Sequence, residues 1–277
     1  MSTGDRAPGP ESFHRPGITV VVATYNVAQT IERCIDSIAN QDHEPLELIV
    51  VDGGSTDGTV QLLESCAARI THWQTGPDEG VYDAFNKAIE QATGSYVCFL
   101  GADDYLAHER VVSRLVEPIR ADAEVDFVSG RVAVVDANHR VTRLIGKSWK
   151  WNKLKRYMCV AHPASLCRTD LIRDLGGFSL KYRIAGDYDL LIRAGRDLEA
   201  RFVNEVMAYM ADEGLSNVRP YATMREVFRI QADHPEIGYV LAIRNWILAL
   251  AKRIVIRLRT WSRWPTHRSR RAGASGG

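Results

Sequence analysis

Tyr96-Val97-Cys98-Phe99-Leu100-Gly101-Ala102-Asp103-Asp104 is the stretch from which the fold reads outward. Its first five residues are apolar and bounded by Gly94 and Gly101, the pattern of a strand buried on both faces. Such strands belong to parallel sheets with helices packed on either side. The two carboxylates that follow repel one another unless a cation or a polar ligand lies between them. Hard divalent ions commonly join one or two protein carboxylates to a diphosphate. As solvated turn residues the same aspartates need no partner, so the weight falls on what stands around them.

Upstream, strand and helix alternate. Ile18-Thr19-Val20-Val21-Val22-Ala23 is a β-branched run followed by a helical pattern from about Ala28 to Asn40. Leu46 to Val51 is a second run, then Gly53-Gly54-Ser55-Thr56-Asp57-Gly58 and a helical pattern from Thr59 to Ala67, with Asp57 placed to cap it. A short strand near Ile70 to Gln74 precedes a helix from Val81 to Ala92. This alternation predicts an α/β fold with a mostly parallel sheet flanked by helices. Ligands of such sheets bind beyond the carboxyl ends of the strands. Thr24-Tyr25-Asn26, Asp52-Gly53-Gly54-Ser55 and Asp103-Asp104 all fall there.

The Asp52 carboxylate can accept hydrogen bonds from a nucleotide base or a ribose, and the glycines after it let the backbone approach a ligand closely. In the helix from Val81, apolar residues at 81, 84, 85, 88, 89 and 92 mark the core side. Asp83, Asn86 and Lys87, at i, i+3 and i+4, then share the exposed face near a helix N-terminus, where phosphates are favoured. An ordinary solvated face has the same pattern.

The net charge of +1 is unevenly spread. No acidic residue follows Glu236, while nine cations do, which leaves −8 on the first 236 residues. Five cysteines, at 34, 66, 98, 159 and 167, form no CxxC pair and leave one unpaired in any disulfide scheme; Cys34, Cys66 and Cys98 sit in apolar or helical stretches, as expected of free thiols in a reducing compartment. Residues 1–17 read as a loose leader without the apolar core of a signal peptide.

Together these segments resemble the family 2 glycosyltransferases with the GT-A fold, of the kind that build bacterial exopolysaccharides or cell-envelope glycolipids. The resemblance rests on Ala23-Thr24-Tyr25-Asn26, Val50 to Asp57, Gly80 to Lys87 and Gly101 to Asp104. It continues through His162-Pro163, Gly176-Gly177-Phe178, Ala185 to Leu190 and Glu213-Gly214-Leu215-Ser216, and places the domain at 18–235.

The resemblance implies an inverting transfer of a sugar from a UDP-, GDP- or dTDP-sugar to a hydroxyl of a glycan or lipid-linked acceptor. It implies that Thr24, Tyr25, Asn26, Asp52, Gly53, Asp83, Asn86, Lys87, Ala102 and Asp103 line the nucleotide-sugar site. Asp104, with Asp103, would hold Mg²⁺ or Mn²⁺. Asp187 matches the general base, and also suits a helix N-cap. His162 falls on the acceptor side. At two positions where the family often carries an acidic residue, this chain has Gly101 and Gly186. An alternative is a sugar-nucleotide-binding subunit that has lost catalysis.

Beyond residue 235 the segment 236–264 reads as a basic amphipathic helix. Its apolar positions are 243, 247, 250, 254, 258 and 261, its tryptophans are Trp246, Trp261 and Trp264, and its cations include Arg244, Lys252, Arg253 and Arg257. The cations interrupt it too often for a membrane span. A helix of this kind suits the plane of an anionic membrane surface, here the inner face of the cell membrane. A helix packed on the catalytic domain with a solvated basic face is the other reading. Nucleic acid is not an expected partner, and residues 265–277 read as a disordered basic tail.

Overall fold

The computed structural model of the chain describes residues 16–163, 165–212, 214 and 218–261. The expected leader up to residue 15, Glu213, Leu215, Ser216, Trp264 and the tail 265–277 lie outside the described residues. Four parallel strands form the half of the sheet that the sequence reading reaches: β1 (Ile18–Thr24), β2 (Leu46–Asp52), β3 (His72–Thr75) and β4 (Tyr96–Gly101). Helices α1 (Ile31–Ala39), α2 (Thr59–Ser65) and α3 (Val81–Gln91) make the crossovers. The first helix begins at Ile31 rather than Ala28, because the Val27 carbonyl takes the amides of both Thr30 and Ile31 in a turn.

A mixed half completes the sheet. It comprises β5 (Tyr105–Leu106), β6 (Phe127–Val135), β7 (Val141–Ile145), β8 (Ser165–Arg168) and β9 (Ala200–Ala211). The order is β3-β2-β1-β4-β8-β6-β9-β5, with β7 paired to β6. β8 runs antiparallel to both β4 and β6, whereas β9 is parallel to β6. Helix α4 (Val111–Ala121) covers β6 and β9, and α5 (Trp151–Leu154) and α6 (Thr169–Asp174) are short connectors. α7 is Gly186–Ala194. A hairpin of α8 (Pro220–Asp233) and α9 (Gly238–Trp261) ends the described chain.

Side chains alternate along the strands, as the pleat requires. Val20, Val22, Cys98 and Leu100 enter one core with Ile31, Ile35, Leu63 and Leu115. Val21, Val97 and Phe99 enter the other, with Phe85, Ile89, Tyr188 and Leu191. Trp149 and Trp151 are partly buried against this second core. All five cysteines are buried free thiols.

The C-terminal helix does not pack through the stripe that its sequence suggests. Ala242 and Asn245 are buried, while Ile247 is 54%, Leu248 59% and Val240 84% exposed. Asn245 donates to the Lys155 carbonyl at 2.9 Å and to Gln231 of α8 at 3.1 Å. A narrow edge of Ala242 and Asn245, with Leu241 partly buried against the second core, thus docks α9, and most of its described apolar side chains remain outside. Among the described residues no helix is long and apolar enough to cross a membrane.

Candidate active site

At the carboxyl rim three strand ends are in register. Thr24 stands opposite Asp52, and Asp52 opposite Thr75, so hydroxyls from the flanking strands reach the carboxylate between them. Asp52 Oδ1 accepts from Thr24 Oγ1 at 2.8 Å and Ser55 Oγ at 2.5 Å. Oδ2 accepts from Thr75 Oγ1 at 2.7 Å and from the amides of Gly54 at 3.0 Å and Ser55 at 2.9 Å. Burial pushes the Asp52 pKa up, but the hydrogen bonds from Ser55, Thr75 and Thr24 outweigh it and hold the group below the usual carboxylate range. A carboxylate offers about four lone-pair positions, and Asp52 is only 1% exposed. A nucleotide contact of the kind expected of Asp52 would have to share or exchange these donors. Its oxygens are filled by protein donors, and it shapes the loop that follows.

Asn26, in the left-handed region at φ 53°, ties the β1 end to the same loop. Its amide donates to Ser55 Oγ at 2.8 Å and its Oδ1 accepts the Thr56 amide at 2.9 Å. Asp57 accepts the Thr59 amide at the start of α2, the capping role expected of it. Tyr25 stands 65% exposed on the rim. Gly53 lies under Asp78, whose Oδ2 would be 2.8 Å from a Cβ at that position. Asp78 is a carboxylate that the sequence reading passes over, because it lies in an irregular loop with no periodicity to mark it.

The paired aspartates curl back over bare backbone. A Cβ at Gly101 would lie 2.8 Å from Asp103 Oδ1 and 3.0 Å from Asp104 Oδ2. Asp104 is 5% exposed, and its Oδ1 is buried with no hydrogen-bond partner among the described residues. Burial first, and then the charge of Asp103, raise its pKa well above the carboxylate range; backbone groups of Ala211 and Gly101 and the Arg33 charge oppose this only in part. An orphaned, desolvated carboxylate oxygen beside a second carboxylate fits a divalent cation. Among the described residues no group of three or more His, Cys, Asp or Glu side chains converges on one point, so two aspartates are what the described residues offer.

Arg33 of α1 borders the pair, a residue that nothing in the helix pattern distinguishes. Its guanidinium lies 4.2 Å from the centre of the Tyr105 ring, donates to the Asp103 carbonyl at 3.4 Å and meets His139 at 3.2 Å. A cavity of about 570 Å³ opens there, with Asp103, Asp136, His139 and Asp212 in its walls. Ala102, buried between the two strand ends, adds no polar group of its own.

Asp187 is the second residue of α7. Its Oδ1 accepts the Tyr188 amide at 2.8 Å and lies 3.3 Å from the Tyr82 hydroxyl, whose one proton is shared between this oxygen and the nearer Ile184 carbonyl at 2.9 Å. Burial and the Asp187 charge raise the Tyr82 pKa, so the phenol stays a donor. A Cβ at Gly186 would lie 2.8 Å from the Tyr82 ring. Tyr82 thus fills the space beside Asp187 over Gly186, where the resemblance leads one to expect an acidic side chain. The apolar stripe of α3 read from sequence leaves Tyr82 out, although it is buried. α3 is covered by the sheet and also by the segment before α7, so its buried arc is wider than one stripe.

His162 stacks on Phe99 at 5.4 Å and 13°, in a cluster with Phe85 and Phe178. Burial lowers its pKa while the Asp187 charge pulls the other way. The three polar residues of α3 expected on one exposed face have different partners. Lys87 pairs with Asp83 at 2.9 Å. Asn86 turns inward, accepting the Phe178 amide at 2.8 Å and donating to the Phe178 carbonyl at 2.9 Å.

Comparison with known proteins adds a further finding. Residues 19–169 match the family described as Glycosyl transferase family 2. The chain is 32% identical over 255 residues to a PGL/p-HBAD biosynthesis glycosyltransferase of Mycobacterium tuberculosis, a match covering 87% of this chain and 95% of the relative. The fold is similar to that of Staphylococcus aureus TarS in complex with UDP-GlcNAc, with a TM-score of 0.63 and 20% identity over 84% of this chain and 71% of that one. It is also similar to the mannosyltransferase PcManGT of Pyrobaculum calidifontis in complex with GDP-Man and Mn²⁺. There the TM-score is 0.61 and the identity 22%, over 94% of this chain and 83% of that one.

Proposed function

The chain belongs to glycosyl transferase family 2 and is a glycosyltransferase, and from that premise we propose that it transfers a sugar from a nucleotide diphosphate to a lipid-linked acceptor with inversion. The observation that carries this is the Asp104 oxygen buried near Asp103 with no hydrogen-bond partner among the described residues; Asp187, whose Oδ1 accepts from Tyr188 and Tyr82, is the second carboxylate of the reading. Asp104 and Asp103 are the residues that would hold Mg²⁺ or Mn²⁺, which when bound supplies Lewis-acid neutralisation of the diphosphate leaving group. The neighbours' nucleotide-sugar ligands and the Mn²⁺ beside GDP-Man support that assignment.

Thr24, Tyr25, Asn26 and Gly53 border the nucleotide, with Asp52 holding their loop. Lys87 and Asp83 stand near the α3 N-terminus. Asp187 takes the proton of the attacking acceptor hydroxyl through Oδ2, while Tyr82 keeps Oδ1 oriented. His162, held neutral by burial, lies on the acceptor side of this base. A single displacement of that kind inverts the anomeric centre. The acceptor side faces a membrane: α9 presents Arg244, Lys252 and Arg253 together with exposed Ile247 and Leu248, a composition suited to the anionic cytoplasmic leaflet. The relative named for PGL/p-HBAD biosynthesis supports a role in building a cell-envelope product.

Asp187→Asn tests the central step. Turnover of UDP-glucose, GDP-mannose or dTDP-glucose, whichever the full chain accepts, should fall about 10²-fold or more, the usual scale for a lost general base, with nucleotide affinity unchanged. An unaltered rate removes Asp187 from the chemistry. Nucleotide binding by the natural chain with no turnover of any donor favours a non-catalytic subunit instead.

A further inference from the structure

We infer that Glu226, on α8 and outside the motifs shared with the family, is a positioning residue for Asp187; this rests on the reading of Asp187 as the base. The Glu226 carboxylate accepts three consecutive backbone amides: Arg183 at 3.0 Å on Oε1, and Ile184 and Ala185 at 2.9 Å each on Oε2. They are the amides that lead into α7. Ala185 is its N-cap residue and has no side-chain oxygen for the task. Backbone amides outside helix and sheet ladders need an acceptor, and here a side chain of a different helix supplies it.

The same segment is held from its other side. The Ile184 carbonyl accepts the Tyr82 hydroxyl, and that hydroxyl also reaches Asp187 Oδ1. Residues 183–185 are therefore fixed by Glu226 through their amides and by Tyr82 through a carbonyl, and the base follows two residues later. α8 is itself anchored next to the base. Gln231 donates to the Tyr188 hydroxyl at 2.8 Å, that hydroxyl donates to the Leu154 carbonyl at 2.7 Å, and Asn245 of α9 donates to Gln231. The helical hairpin beyond the family motifs is in this way part of the frame that sets the angle of Asp187.

Glu226→Gln places an NH₂ group where three amides need acceptors. In the full chain kcat should fall roughly 10- to 10²-fold, the scale for a misplaced reacting group, while Mn²⁺-dependent UDP or GDP binding stays unchanged. Glu226→Asp, which keeps both oxygens, should recover part of that loss. In an Asp187→Asn background Glu226→Gln should add nothing, because residues that act as a unit are not additive. An unchanged kcat, a parallel loss of nucleotide affinity, or losses that multiply in the double variant would overturn the role. If Asp187→Asn alone leaves kcat intact, the base reading fails and the positioning with it; if it abolishes turnover while Glu226→Gln does not, only the positioning fails. Should Glu226→Gln not fold, hydrogen exchange in the natural chain decides: slow exchange is expected for amides 183–185, and fast exchange there overturns the clamp.

Discussion

A methyl group at Gly186 would sit 2.8 Å from the Tyr82 ring, and one at Gly101 would press on both metal-binding candidates. Neither glycine has an unusual φ, so each is required by what lies above it rather than by backbone strain. Gly186→Ala should destabilise the fold by about 1–3 kcal/mol, the range for overpacking a filled site, and lower kcat by moving the Tyr82 hydroxyl off Asp187. Chemical denaturation beside initial rates checks this; unaffected stability with a normal rate would mean that the ring has room to yield. Asp104 offers a pH test. Because burial and Asp103 raise its pKa, the metal-free carboxylate is protonated at pH values where an ordinary aspartate is not, and a proton then competes with the ion. Mn²⁺ affinity, measured by calorimetry, should rise with pH through that titration. Asp104→Asn should abolish both the binding and its pH dependence; a flat profile in the natural chain would place the ion elsewhere.

At the scale of elements, α3 and α7 are joined by the glycine turn between them. Gly176 and Gly177 both adopt positive φ, 75° and 73°, where side chains other than glycine are strained. The turn delivers the Phe178 backbone to Asn86 and its ring to Tyr82, stacked at 5.3 Å. Arg193 locks the other end, donating to the Leu175 and Gly177 carbonyls while paired with Asp189. Asn86→Ala would leave the Phe178 amide and carbonyl without these partners, at about 1–3 kcal/mol for a buried polar group left unsatisfied. The expected result is a lowered melting temperature and a reduced kcat with nucleotide binding retained. Loss of nucleotide affinity at unchanged stability would return Asn86 to the phosphate side.

For the molecule as a whole, the charge asymmetry acquires a location. The acidic body and the basic hairpin meet along α8 and α9, where Arg196 still pairs with Glu236. Because Asn245 is buried against Gln231 and Lys155, removing α9 would expose polar groups of the catalytic body, so point changes are the cleaner probe. The full chain should sediment with anionic liposomes and not with neutral ones. Each cation near the surface contributes about 1 kcal/mol, an attraction that salt screens. Ile247→Glu with Leu248→Glu should remove the salt-resistant part while leaving the melting temperature unchanged. Equal binding to neutral vesicles, or no effect of the pair, would leave α9 as a solvated helix.

What the residues themselves determined is the parallel half of the sheet and the rim. Uniform apolar runs such as Ile18 to Ala23 and Tyr96 to Leu100 can be satisfied only by burial on both faces, and the polar clusters after them must then share one edge. The antiparallel additions β8 and β5 escaped notice because short strands carry too few residues to show a period. Only the tertiary structure decided which polar groups are free. Asp52 and Asp104 both stand at the ends of apolar strands, yet register brings Thr24 and Thr75 to the first, and among the described residues nothing bonds to one oxygen of the second. The same holds for Glu226, whose three amides lie some forty residues upstream of it. Hydrogen-bond saturation depends on neighbours brought together by long-range contacts, and no local pattern in the chain encodes it.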